Sequence, residues 1–530
     1  MNKPKRTGTG VPILSAKDAV AYIPDKATVA FHGAGGGICE PTEVIDALAE
    51  RYKTTGHPCA LTYYHATGLG DRDNRGMSPL AQNGMVKRII GGHWAQSPRL
   101  ADMAEREEIE AYNFPQGMIS QLLRASAAKQ PGLLSHVGLG TFIDPRQQGG
   151  KLNKSTREDL IRLMRIDDRE YLFYPAIPID VAIIRGTTAD TDGYISMEDE
   201  VTMLDVLAMA QAAHNNGGLV IAQVQRVVAA NSIHPKQVKI PGFYVDAIVE
   251  APDQPQMYNA PVSRFISGDF RKDSGNVEPV ALNERKVIAR RALMEIAPNN
   301  IGNVGVGIAD GIGVIAREEG IEERFTLTVE TGAIGGVTAQ GIFFGASINM
   351  RALVDMPTQF DFYDGGGLDV CFLSFAELDA QGNINVHKFN GKVVGTGGFV
   401  NISQNTKKAV FCGTLKAGGL KTLVEGGTIK ILQEGRFCKM VEKVDEITFS
   451  AKQALLREQE VLYITERAVF RLSEKGLVLY EIAPGMDVER DVIAHMAFRP
   501  IVSENLKQMD ARIFSDQPMG LKNEVPWLLS

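Results

Sequence analysis

One pattern in this chain recurs at a fixed spacing, and it limits the fold more than any single motif does. The run Asp180-Val-Ala-Ile-Ile184, closing in the turn Asp192-Gly193-Tyr-Ile195, is matched by Asp369-Val-Cys-Phe-Leu373 and Gln381-Gly382-Asn-Ile384. Positions 180 and 369, 193 and 382, and 195 and 384 all differ by 189, and the same spacing sets Asn216 over Asn405 and the apolar pair at 220–221 over 409–410. A match that holds without gaps over such a length is the mark of a duplicated supersecondary unit. Gly33-x-Gly35 also matches Gly305-x-Gly307, at a spacing of 272, so the first copy carries extra residues between loop and strand. We therefore expect two diverged copies of one unit, with a ligand cleft between them.

The unit itself reads as α/β. Residues 16–24 form a short helix stopped by Pro24, and 28–31 a strand. Then come His32-Gly33-Ala-Gly35-Gly36-Gly37 and, from 41 to 52, apolar residues at helical spacing. Short apolar strands at 61–64, 86–90, 109–112, 133–137, 181–184 and 218–222 alternate with helical stretches, the rhythm of parallel sheets with helical crossovers. The chain is thus expected to fold as two related open α/β domains. The N-terminal one covers 1–270 and the C-terminal one 283–530, with a Pro-, Asp- and Ser-rich connection at about 251–282. The charged segment 143–170 reads as an excursion or lid.

At 530 residues the chain is long enough for two cores and a buried site. A net charge of −7 gives no general attraction for nucleic acid or an anionic membrane, so a phosphate-bearing ligand must be held locally. The five cysteines (Cys39, Cys59, Cys371, Cys412 and Cys438) are scattered and form no Cys-x-x-Cys pair, which points to reduced thiols and a cytoplasmic protein. The N-terminus lacks the apolar core of a signal peptide, and no apolar run is long enough to span a bilayer. Metal-binding and nucleotide-binding signatures are missing, so no metal is expected.

Four glycine-rich places can carry chemistry. In Thr326-Leu-Thr-Val-Glu330-Thr-Gly332-Ala-Ile-Gly335-Gly336 a β-prone run ends in a carboxylate and falls into glycines. That holds Glu330 firmly at a corner, although by itself the stretch reads as a solvated Glu at a strand end. The loop around Gly35 can cradle a phosphate, or serve as a tight strand-to-helix turn. Val394-Gly395-Thr-Gly397-Gly398-Phe399 can present backbone N–H groups to a developing oxyanion, or be a turn. Asn113-Phe-Pro115-Gln116-Gly117 sets a side-chain amide on a corner from which it can donate to the same oxyanion, or forms an ordinary turn. Residues 360–367 are either an adaptable loop near a ligand or a helix-to-strand connection. His93 and His387 read as packing or hydrogen-bonding histidines, and Glu198-Asp199-Glu200 as a solvated edge.

Taken together, these motifs resemble one family, the class I coenzyme A transferases in their single-chain acetate and propionate form. Glu330-x-Gly332-x-x-Gly335 is similar to that family's nucleophile signature, Gly395-x-Gly397-Gly398-Phe399 to its oxyanion loop, and Asn113-x-Pro115-Gln116-Gly117 to its glutamine corner. Val137-Gly-Leu-Gly140-Thr-Phe-Ile-Asp144-Pro-Arg146 and Tyr463-Ile-Thr-Glu-Arg-Ala-Val-Phe470 resemble further segments, so the likeness runs from about residue 12 to about 515. Ala333 and Phe114 depart from residues common in close relatives. The resemblance implies Glu330 as nucleophile, with Gln116, Gly397 and Gly398 as oxyanion donors, and Gly332, Gly335, Phe399 and Gly35 against substrate or coenzyme A. It further implies coenzyme A as substrate rather than bound cofactor, short-chain acids as acceptors, and a homodimer or homotetramer. A thioesterase and a non-catalytic metabolite sensor are the rival readings.

Overall fold

A computed structural model describes residues 2–272 and 280–528. Two mainly parallel sheets organise it. In the first, parallel strands run side by side in the order Ala247–Glu250, Leu219–Val228, Val181–Asp190, Thr28–Phe31, Leu61–His65, Val86–Gly91, Glu110–Asn113. The second has a parallel centre in the order Thr326–Thr328, Ile301–Val304, Val370–Ser374, Lys408–Cys412, Glu460–Ile464. Antiparallel strands widen it at both edges, Ala333–Ile334 on one side and Ala468–Ser473 with Gly476–Ile482 on the other.

The spacing of 189 survives as strand register. Val181 pairs with Leu219 in the first sheet and Val370 with Lys408 in the second, so both partners are displaced by the same number of residues. Because a strand alternates its faces, a constant spacing also keeps each residue on the matching side. Val181 and Ile183 pack with Val29 and Phe31 against the first half's own helix Thr42–Thr55, and Val370 and Phe372 pack against the second half's helix Glu284–Leu293. Ala182, Ile184, Cys371 and Leu373 instead enter one core shared by both halves. These strands are covered on both faces, which is why they read as continuous apolar runs.

The glycine match is looser than the sequence suggests. Phe31 pairs with Ile183 and Val304 with Phe372, so the strands leading into the two loops correspond at a spacing of 273, not 272. Packing fixes the strands; a glycine in the following loop is free to slip by one. Residues 133–137 also differ: Gly132–Ser135 lies outside the parallel sheets, in a small antiparallel sheet with Arg162–Ile166 and Arg169–Pro175. Much of the 143–170 excursion feeds that hairpin, and none of it lines the central cleft. Of the connection at 251–282, Met257 and Tyr258 are buried against the first half, and 273–279 lie outside the described residues.

Glu198-Asp199-Glu200 is not a solvated edge throughout. Glu200 is buried and pairs at 3.0 Å with the equally buried Arg185, whose guanidinium also donates to the Glu40 and Pro255 carbonyls. A buried carboxylate requires such a partner, and Arg185 lies on the strand next to Thr28–Phe31, where the local sequence gives no hint of it. No helix among the described residues is long and apolar enough to cross a membrane.

Candidate active site

The carboxyl ends of the parallel strands of both sheets converge on one cleft, the place where open α/β sheets hold ligands. Its cavity of about 310 Å³ is lined from the first half by Gly35, Thr67, His93 and Gln116, and from the second by Val306, Glu330, Phe375, Gly398 and Phe399, among others. The cleft is therefore a product of the duplication, since neither half encloses it alone.

Glu330 follows the strand Thr326–Thr328 at a tight corner, closed by hydrogen bonds from the Gly332 N–H to the Val329 carbonyl (3.0 Å) and from the Val329 N–H to the Ala333 carbonyl (2.9 Å). Gly332 is required there. Its φ is +111°, and a Cβ would come within 2.0 Å of the Val354 carbonyl oxygen. Gly335 continues the turn, its N–H bonded to the Leu327 carbonyl at 2.7 Å. Behind the strand, Tyr363 donates to Thr328 Oγ1 (2.8 Å) and receives Gln359 and Asn303, a polar buttress two residues from the carboxylate. No hydrogen bond or ion pair reaches the Glu330 carboxylate among the described residues, and burial alone pushes it up to about 7. It is held by its backbone and left chemically free.

The other half of the reacting centre is a seam between the two copies. The Gln116 N–H donates to the Gly397 carbonyl (3.0 Å), the Gly397 N–H to the Gly92 carbonyl (2.8 Å), and the Thr396 N–H to Asn113 Oδ1 (2.9 Å). Gly397 thus spends its N–H on holding the loop. No protein acceptor among the described residues takes the Gly398 N–H, and a Cβ on Gly398 would lie 3.2 Å from Glu330 Oε2. Gln116 opens the helix Gln116–Ala127 and is 2% exposed, and among the described residues its Nε2 donates only to the Met356 sulfur, at 3.3 Å. A thioether is a weak acceptor, so that amide is readily surrendered to a better one. Phe399 begins the next helix, lines the cleft and stacks on Phe411. Gly35 lies against Gln96, where a Cβ would approach the amide to 2.9 Å.

Two groups escape sequence reasoning. Asn401 is fully buried; its Oδ1 accepts the Gly117 N–H (3.1 Å) and its amide donates to Asp364 (2.9 Å), so it pins the helix bearing Gln116 to the helix following Gly398. No local signal marks it, because its partner is 284 residues away. His93 lines the cleft with Nδ1 unpartnered among the described residues, and burial drops it to about 4, leaving the ring neutral. His387, by contrast, is a satisfied packing histidine, bonded to Thr448 and Glu446 and stacked on Phe142. Residues 360–367 are the end of the helix Met356–Asp364 and its connection to the next strand. The only trio of metal-ligating side chains among the described residues, Asp25, His57 and Cys59, lies outside the cleft lining.

Two duplicated open sheets, a shared core and a cleft with a free carboxylate at a glycine corner are the features of a coenzyme A transferase, and the chain belongs to that family. The family model described as Coenzyme A transferase matches residues 13–251. Over 98% of both chains the protein is 58% identical to acetate CoA-transferase YdiF of Escherichia coli O157:H7. It is 43% identical to caffeate CoA-transferase of Acetobacterium woodii, over 96% of this chain and 98% of that one. The crystal structure of the E. coli O157:H7 YdiF thioester complex with CoA superposes with a TM-score of 0.94 at 57% identity, covering 98% of this chain and 99% of that one.

Proposed function

We propose that the protein moves coenzyme A between a short-chain acyl-CoA and a short-chain carboxylic acid, acetate foremost, by a ping-pong route through a thioester on Glu330. The observation that carries this reading is the half-buried Glu330 carboxylate, unpartnered among the described residues and lying against Gly398 across the cleft. Likeness to an acetate CoA-transferase supports the choice of acid. In this scheme the carboxylate attacks the acyl carbonyl and expels CoA thiolate, leaving a mixed anhydride. The thiolate then attacks the Glu330 carbonyl, freeing the first acid and forming a glutamyl-CoA thioester. A second acid attacks that thioester and the steps run in reverse. Every step passes through a tetrahedral oxyanion, for which the Gly398 N–H and the Gln116 amide are the donors, while Gly397 and Asn401 hold them in place. Gly332 and Gly335 shape the nucleophile corner, and Gly35 and Phe399 bound the space for substrate. Coenzyme A enters as substrate, and the scheme needs no bound cofactor. We assign the two copies to 1–270 and 283–530.

Borohydride added after acyl-CoA is expected to reduce the thioester, abolish activity and mark the peptide containing Glu330. A mark on another peptide overturns the assignment, and CoA release without any acceptor acid turns the reading to a thioesterase.

The half-buried carboxyl also sets a pH dependence. Attack needs the carboxylate, and the group is pushed up to about 7, so kcat/KM for acyl-CoA is expected to climb about tenfold per pH unit below neutrality and level off above it. The buried Glu40 and Asp205 and the half-buried Asp364 are also pushed up to about 7 by desolvation. Retention of the profile in Glu40→Gln, Asp205→Asn and Asp364→Asn assigns it to Glu330; its disappearance in any of them moves it there.

A further inference from the structure

Of the described residues lining the cleft, Arg72 is the only lysine or arginine, and Glu330 the only carboxylate. Arg72 is exposed and its guanidinium makes no hydrogen bond or ion pair among the described residues. Its backbone is left-handed, with φ at +69°, a conformation uncommon outside glycine and often found where a side chain is being aimed. The loop tolerates it because the Arg72 N–H is tied to the Gln96 carbonyl at 3.0 Å. Two residues earlier the base is firm: the Gly70 N–H donates to Glu40 Oε1 (2.7 Å), the Tyr258 hydroxyl donates to the other oxygen of that carboxyl (2.5 Å), and the Gly70 carbonyl accepts from the Gly36 N–H (2.9 Å). Gly36 in turn lies under the Ile342 carbonyl of the second half, where a Cβ would approach to 2.3 Å. Ile342 and Val306 belong to the cleft lining and are 37% and 41% exposed. Near Ile342 the cleft therefore combines an uncovered apolar side chain with Arg72, the one cation among the described lining residues.

We propose that Arg72 binds a phosphate of coenzyme A at this end of the cleft, as the cation that fixes the nucleotide side of the substrate while its thioester reaches Glu330. The proposal rests on the CoA-transfer reading above. The chemistry selects coenzyme A over the acid: pantetheine separates the reacting sulfur from the phosphates by a long, largely uncharged arm, so an anion must lie far from the nucleophile, near solvent. A short acid offers one carboxylate, and that is the reacting group itself. A planar guanidinium also suits a phosphate by donating two parallel N–H groups. Arg72 and His93 line the same cleft, and the charge of Arg72 helps to keep that ring neutral.

The test is steady-state kinetics of full-length Arg72→Gln and Arg72→Lys with acyl-CoA, acyl-dephospho-CoA and S-acyl-pantetheine as donors at low salt. Arg72→Gln is expected to raise KM for acyl-CoA about tenfold, with Arg72→Lys between it and the parent and kcat within about twofold throughout. With S-acyl-pantetheine, which has no phosphate, parent and variants should converge. A penalty that persists with acyl-dephospho-CoA assigns Arg72 to the diphosphate, and one that vanishes assigns it to the 3′-phosphate; both support the proposal. An unchanged KM for acyl-CoA, or a rise confined to the KM of the acceptor acid, overturns it. Failure of the underlying reading has a separate sign, the lack of any thioester on Glu330 in the parent protein.

Discussion

Glu330→Gln is expected to lose turnover by at least about 10⁴-fold and, above neutral pH, to be more stable than the parent. The first effect follows from removing the only nucleophile in a covalent route; an amide cannot form the anhydride or the thioester. The second follows from burial. In the folded protein the carboxyl is pushed up to about 7, against about 4.3 in an unfolded chain, so the native state holds a proton that the unfolded state has already released. Stability from this group is therefore present below about pH 4 and is lost as pH climbs to about 7, after which the penalty is constant. Fully expressed, the difference corresponds to about 4 kcal/mol, and the cleft's partial access to water reduces that to about 1–3 kcal/mol. Glutamine carries no charge and escapes it. Urea melts at pH 4 and pH 8.5 should give curves that nearly coincide at the lower pH and separate at the higher, with the variant ahead. Near-parental exchange kinetics in amide-homogeneous protein, or a variant destabilised equally at both pH values, would show that Glu330 is a structural residue.

How much of this could be read beforehand depended on whether the relevant contact was local. The 189-residue spacing survived into strand register and facing because the matched residues of Val181–Asp190 and Val370–Ser374 occupy the same steps of their strands, and strand geometry turns equal steps into equal faces. The glycine loops gave a spacing one residue off, since glycine has no side chain to lock it to a face. Glu330 was legible as a corner but not as a free, half-buried carboxyl: nothing in the stretch from 326 to 336 says that no cation would arrive. Glu200 erred in the opposite direction, looking like surface until Arg185 arrived from a neighbouring strand. Asn401 had no local signature at all. Its value lies in joining two helices from different copies, and only the packing of Met356–Asp364 and Gln116–Ala127 brings those together.

The same seam makes Gln116 the second residue whose loss should be severe. Gln116→Leu is expected to lower kcat by about 10² to 10³, the usual cost of one oxyanion donor, while leaving KM for acyl-CoA close to the parent's. The structure separates this from a folding effect. The link that holds the Gly397 loop is the Gln116 backbone N–H, which any residue supplies, whereas the side chain's bond is only to the Met356 sulfur. Leucine therefore keeps the loop and fills the space, and removes only the donor. Gln116→Glu sharpens the comparison, because a carboxylate of nearly the same shape replaces a donor with a negative charge beside a developing oxyanion. Electrostatic stabilisation orders the activities glutamine, leucine, glutamate from highest to lowest, and slows borohydride-trappable thioester formation in the same order. A packing role gives a different order, with the near-isosteric glutamate ahead of leucine and losses that track melting temperature rather than the rate of thioester formation.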